Sequence, residues 1–195
     1  NVPDYCAEDV SDHALALMLA CLRDVARRDR LVRQGQWNLQ RTSFRLSGKV
    51  LGVLGFGRIA RALVKKCSGF GFTRILVYDP YISAEACASL GAIKTELNTV
   101  LKGADFISLH MPVTPETTGM LNKETLSLMK PTAIVVNTGR GPLIDDEAML
   151  DALKTHKILC AGLDTHNREP LPANSPYFEL DNVILTDHTA YSTVE

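Results

Sequence analysis

A chain of 195 residues, 46% hydrophobic and 22% charged, has room for one large domain, or one and a fraction, around a substantial core. With 21 basic against 22 acidic residues and a net charge of −1, it carries no field that would draw nucleic acid or an acidic membrane surface. Five scattered cysteines (Cys6, Cys21, Cys67, Cys87, Cys160), never spaced C-x-x-C, argue against a disulfide framework or a zinc site and for a reducing compartment, the cytoplasm.

No apolar run reaches the roughly 18 residues of a membrane span, and the opening residues do not read as a signal peptide. The chain opens on Asn1 rather than methionine and closes on "STVE", residues 192–195, which reads as a first helical turn. Both ends suggest a domain cut from a longer protein.

Residues 8 to about 30 predict one long amphipathic helix, because Val10, Ala14, Leu17, Cys21 and Val25 recur at helical spacing with Arg and Asp between them. The basic run from Arg23 to Arg33 contains Asp24 and Asp29, and reads as the solvated end of that helix. "GQWNLQ" breaks the pattern, and Ser47-Gly48 makes a turn. Strand and helix signals then alternate. Strands are expected at 49–55, 74–79, 92–95, 105–110, 133–138, 159–164 and 182–186. Helices are expected at 57–70, 83–90, 97–104, 122–129 and 145–156, the last with Asp145 as N-cap. Short, nearly continuous apolar strands alternating with helices predict an α/β fold: a Rossmann-type, doubly wound, mostly parallel sheet with helices on both faces. Ligands of such sheets bind outside the carboxyl ends of the strands, which here carry Gly55, Asp79, His110, Thr138 and Asp164.

"LGVLGFGRIARAL", residues 51–63, joins the first of these strands to a helix. Gly55 allows a sharp turn, Gly57 lets the backbone approach a pyrophosphate, and the small Ala60 lets helix and strand pack closely. The helix that follows would turn its N-terminal amides toward an anion. Asp79 closes the next strand 19 residues after Ala60, where a carboxylate can accept both ribose hydroxyls of NAD. Its charge would repel a 2′-phosphate, so NAD is expected over NADP. Strand before, helix after and acid at that distance make this a phosphate cradle rather than a bare turn.

The second half carries the chemistry. Arg140 stands between two glycines after a strand, where its planar fork can meet a carboxylate. Glu169 lies in a proline-bounded loop after another strand, and His188 follows the last strand. A histidine beside a carboxylate makes a general acid–base pair, the carboxylate favouring the protonated imidazole. His166 shares the loop of Glu169 and stays open as an alternative, while His13 and His156, on helices, read as structural or exposed.

With these motifs in order ("LGFGRIA", "YDP", "SLHMPVTPET", "LMKPTAIVVNTGRG", "LDTHNREPL", "NVILTDHTA"), the chain resembles the NAD-binding domain of the D-isomer-specific 2-hydroxyacid dehydrogenases over essentially its whole length. "NVPDYCAEDVSDHALALMLA", "FGF" and "YDPY" resemble most the subgroup of the C-terminal-binding proteins and their bacterial dehydrogenase relatives. The resemblance implies an NAD-binding domain over 1–195, with a Rossmann core at 49–190. Residues 1–33 would form a leading helix for dimer or interdomain contact, and the substrate domain is absent from the chain.

It implies that Arg140 holds the substrate carboxylate and carbonyl, that Glu169 pairs with His188, and that His188 exchanges a proton with the C2 oxygen. Gly55, Gly57 and the amides of Arg58 and Ile59 would hold the pyrophosphate, and Asp79 the adenosine ribose. Pro112 and Thr117 would line the adenine side. Thr138 and Asp164 would approach the nicotinamide, His110 would belong to the cofactor pocket, and Arg140 and His188 would face the cofactor as well. The activity implied is NAD-dependent interconversion of a small 2-oxo acid and a D-2-hydroxy acid (phosphoglycerate, glycerate or hydroxypyruvate, or lactate type) in a homodimer. The alternatives are an NAD(H)-sensing corepressor, and an oxidoreductase of the same fold acting on formate or phosphite. Two positions depart from the family's common pattern: Asp187 where proline usually precedes the histidine, and Ala60 where glycine is commoner.

Overall fold

Runs of three to five residues, mostly aliphatic and mostly buried, build the strands of the computed structural model, which describes residues 6–37 and 43–194. These are β1 (Val50–Leu54), β2 (Arg74–Tyr78), β4 (Phe106–Leu109), β5 (Ile134–Asn137), β6 (Cys160–Leu163) and β7 (Val183–Leu185), with a two-residue β3 (Ile93–Lys94). They form one sheet in the order β3-β2-β1-β4-β5-β6-β7, and every pairing is parallel. Alternate side chains feed two apolar layers. On one face Leu51, Val53, Ile134 and Val136 pack with α1 (Ala7–Arg23) and α3 (Arg58–Lys66). On the other, Leu54, Ile107, Leu109 and Val135 pack with α5 (Leu97–Gly103), α6 (Lys123–Ser127) and α7 (Asp146–Lys154). Burial on both faces is why these strands lack apolar–polar alternation.

Glycine in β1 serves close packing. A Cβ at Gly52 would come 2.6 Å from Val100 and 2.8 Å from Ala104, so α5 crosses the strand where no side chain intervenes. Local signals close the helices: Asp145 accepts from the Ala148 amide at the start of α7, and Asn122 makes a capping box with Thr125 on α6. Ser83 caps α4 (Ala84–Ala88) in the same way.

The single helix expected from residue 8 to about 30 is two helices. At Asp24 the backbone turns left-handed (φ 58°), ending α1 and starting α2 (Val25–Arg33) in a new direction. The apolar stripe ends at Leu22: Val25 is 53% exposed, and α2 buries no residue. Asp accepts this conformation more readily than most residues. Ser192–Val194, expected to begin a helix, are not helical, and Glu195 lies outside the described residues. Part of the 1–33 segment and of "GQWNLQ" lies outside the described residues.

The sheet order reverses between β1 and β4, so the loops leaving their carboxyl ends diverge and open a cleft.

Candidate active site

The cleft measures about 550 Å³, and its walls come from five strand ends and the start of α1. After β1, Gly57 and the first residues of α3 (Arg58, Ile59, Ala60) form one wall. No side chain caps α3, and a Cβ at Gly57 would meet nothing within 4 Å, so the approach to the first-turn amides is open. Gly55 serves the fold instead. Its φ is +88°, and a Cβ there would meet the backbone of His110 at 2.9 Å.

Asp79 stands behind this turn. Its Oδ2 accepts the Phe56 amide at 2.8 Å and its Oδ1 the Tyr81 amide at 2.8 Å, while Arg61 Nε donates to the Phe56 carbonyl at 3.1 Å. Two charged side chains thus hold the Gly55–Gly57 turn in place. Each Asp79 oxygen keeps a lone pair beyond these bonds.

From β4 come His110, on the same cleft, and Pro112, on an adjoining cavity of about 600 Å³ that His110, Thr138 and Arg140 share. Burial depresses the His110 imidazole to about 4, so it is neutral near pH 7; its Nε2 lies 2.8 Å from Ser108 Oγ, and its Nδ1 has no partner among the described residues. Thr117 is turned inward, with its hydroxyl donating to the Pro112 carbonyl at 2.7 Å and accepting the Thr114 amide at 2.8 Å. It belongs to the turn rather than to the cleft surface.

After β5 stand Thr138, whose buried Oγ1 also lacks a partner among the described residues, and Arg140. Asn137, fully buried at the strand's end, bonds the Arg140 carbonyl through Nδ2 (2.9 Å) and the Gly139 amide through Oδ1 (3.0 Å). Gly141 abuts the backbone of His166 and Asn167, with no space for a Cβ, so the loop of Arg140 is seated on the loop of Glu169. Among the described residues Arg140 bonds only its neighbour's carbonyl, Gly139 O, through Nη1 at 2.7 Å, leaving donors of the guanidinium for a ligand.

After β7 comes His188, left-handed at φ 58°, with Nδ1 2.7 Å from Glu169 Oε2. The Glu169 carboxyl is pushed up by burial, but the bonds from His188 and from the His166 amide (2.9 Å to Oε1) outweigh this and hold it below the usual carboxylate range. An ionised Glu169 accepts only, so Nδ1 carries the proton and Nε2 is left to take or give one. His188 lines both the cleft and a second cavity of about 500 Å³ that holds Glu169 on its wall. The other histidine of that loop donates Nε2–H to the Thr186 carbonyl at 2.9 Å, which marks His166 as a strut. Asp187 accepts the Thr189 hydroxyl at 3.0 Å.

The chain therefore brings Gly57, Arg58, Ile59, His110, Thr138, Arg140, Asp164 and His188 to one cleft. Asp164, expected to face the nicotinamide, is fully buried and already bonded to the amides of Thr189 and Ala190. Sequence reasoning missed Asn137 and Thr186 as supports. Asn137 alone carried a usable signal, a polar residue closing a buried strand three positions before the arginine.

A doubly wound parallel sheet with an uncapped helix and a side-chain-free glycine at its switch point defines a dinucleotide-binding domain. The chain belongs to the D-isomer specific 2-hydroxyacid dehydrogenases, whose NAD binding domain matches residues 15–190. It is 42% identical over 197 residues to D-3-phosphoglycerate dehydrogenase of Methanocaldococcus jannaschii, covering 100% of this chain and 37% of that protein. Against glyoxylate reductase of Pyrococcus furiosus it is 42% identical over 203 residues, covering 100% of this chain and 60% of the relative. Among solved structures, D-lactate dehydrogenase from Aquifex aeolicus, complexed with NAD and lactic acid, superposes with a TM-score of 0.89 at 32% identity, covering 99% of this chain and 62% of that one. The chain thus spans less than two thirds of these relatives. The residues present fit NAD: the open Gly57 approach suits a pyrophosphate, and the orphaned Thr138 Oγ1 and His110 Nδ1 await polar partners in the same cleft.

Proposed function

We propose that the protein to which this chain belongs interconverts a small 2-oxo acid and a D-2-hydroxy acid with NAD(H), and that Arg140, Glu169 and His188 carry the chemistry contributed here. The observation that carries the reading is the 2.7 Å contact of Glu169 with His188 Nδ1, on the same cleft as Arg140 and the α3 N-terminus. The bound nicotinamide would supply or accept the hydride at substrate C2. Arg140 would clamp the carboxylate with its fork and polarise the adjacent carbonyl, fixing the reacting carbon's position. His188 would deliver its Nε2 proton to the C2 oxygen in reduction and take it back in oxidation, while Glu169 holds the ring through Nδ1. The Gly57 approach and the amides of Arg58 and Ile59 would hold the pyrophosphate, and Asp79, with its remaining lone pairs, the adenosine ribose. Thr138 would meet the nicotinamide end, with His110 beside it.

In full-length protein His188→Gln is expected to cut turnover of a 2-oxo acid by at least about a hundredfold, the scale of general acid catalysis, while NADH affinity measured by fluorescence titration stays near that of the parent. Equal loss of both would make His188 a structural residue and overturn the reading. A homodimer fits the exposed Val25, Val32 and Trp37 along and beyond α2, and sedimentation of the full-length protein tests it. The scattered free cysteines support a cytoplasmic setting.

A further inference from the structure

Asp164 closes β6 and gathers the loop of His188 around itself. Its carbonyl accepts the His188 amide at 2.9 Å, its Oδ1 the Thr189 amide at 3.1 Å and its Oδ2 the Ala190 amide at 3.2 Å. Three successive amides converge on one residue, and the left-handed backbone at His188 is the conformation that lets them. The Thr186 hydroxyl donates to Asp164 Oδ1 at 2.6 Å. A hydroxyl has one proton, so toward a further neighbour Thr186 Oγ1 can only accept.

That neighbour is His13, far away in sequence on α1. Its Nε2 lies 3.0 Å from Thr186 Oγ1 and 3.3 Å from Asp164 Oδ1, so Nε2 carries a proton shared between the two oxygens. The carboxylate it faces has no exposure, and an unpartnered buried carboxylate is costly. Among the described residues β7 pairs only with β6, so the sheet braces this loop from one side and α1 braces it from the other.

We propose that His13 is a positioning residue for the proton carrier: by holding Thr186 and Asp164 it fixes the backbone of 188–190, and the seat of α1 on the sheet thereby sets where the His188 ring stands. This rests on the reading of His188 given above.

The test compares His13→Ala, His13→Gln, Thr186→Val and His188→Gln in the full-length protein. Readouts are kcat and KM for a 2-oxo acid, NADH affinity and amide hydrogen exchange at 188–190. His13→Ala is expected to lower kcat about tenfold, as small misplacements of a reacting group do, and to speed exchange at 188–190 about tenfold. NADH affinity and exchange in β1 and α3 should stay unchanged. Thr186→Val, which removes the same link from the β7 side, should reproduce that pattern. His13→Gln, whose amide N–H reaches about as far as Nε2, should restore both readouts.

Unchanged kcat and local exchange in His13→Ala and Thr186→Val would overturn the proposal. So would a loss spread evenly over the sheet that Gln fails to restore. If His188→Gln kept full turnover, the catalytic reading would fall instead, and exchange at 188–190 would still decide whether the clasp exists.

Discussion

Two glycines two positions apart do opposite work. A Cβ at Gly57 meets open space and its φ is −73°, so Gly57→Ala is expected to leave the melting temperature within about 1–2 °C while weakening NADH binding by tenfold or more. Gly55→Ala meets backbone at 2.9 Å at a positive φ, and is expected to cost about 2 kcal/mol or more of stability by urea denaturation. His110 gives a pH signature. Its folded form stays neutral down to about 4, whereas an unfolded histidine begins to protonate near 6.5. The stability it contributes is therefore complete above about pH 6.5 and lost as pH falls toward 4, with a slope approaching one proton. Glu169, whose carboxyl is held low, adds loss in the same direction at lower pH. His110→Asn should flatten the upper part of this slope in denaturation series run at stepped pH. The places of Gly57, Thr138, Arg140 and His188 at strand ends were legible in the sequence, because apolar runs mark where strands stop. The commitments of Asp79 and Asp164 to loop amides were not, since they depend on backbone dihedrals that no spacing encodes.

Among elements, α7 shows how much a short helix leans on the residue that caps it. Asp145→Ala removes the bond to the Ala148 amide and is expected to lower stability by about 1 kcal/mol, a fall of about 2–4 °C in melting temperature by calorimetry. The cap at Asp145 was readable because an Asp directly precedes the helical run, and Ser83 and Asn122 stand in the same place before α4 and α6. The break at Asp24 was hidden, because the spacing from Cys21 to Val25 continues the apolar repeat although Val25 faces outward. Periodicity records which residues could share a face, and a single left-handed residue redirects that face without disturbing the count. The short β3 was legible as a strand, and it pairs with β2 over two residues, Ile93 and Lys94.

The whole sheet was legible as a class: seven strand signals, the first six separated by helices, admit a parallel sheet covered on both faces, and that is what forms. Which strand neighbours which is a matter of crossover handedness and cannot be read from any one run. The strand order has a consequence for how the molecule comes apart. The contacts proposed for the pyrophosphate hang from β1, with a strand on each side, whereas His188, the proposed proton carrier, hangs from β7, three residues at the rim. Rims fray before centres. On slow heating of the full-length protein, turnover should therefore decline several degrees before NADH fluorescence enhancement does, and the two curves recorded on one sample would show it. In that interval the protein would be a cofactor carrier with its chemistry switched off, reversibly so, since the strands that hold the nucleotide never let go.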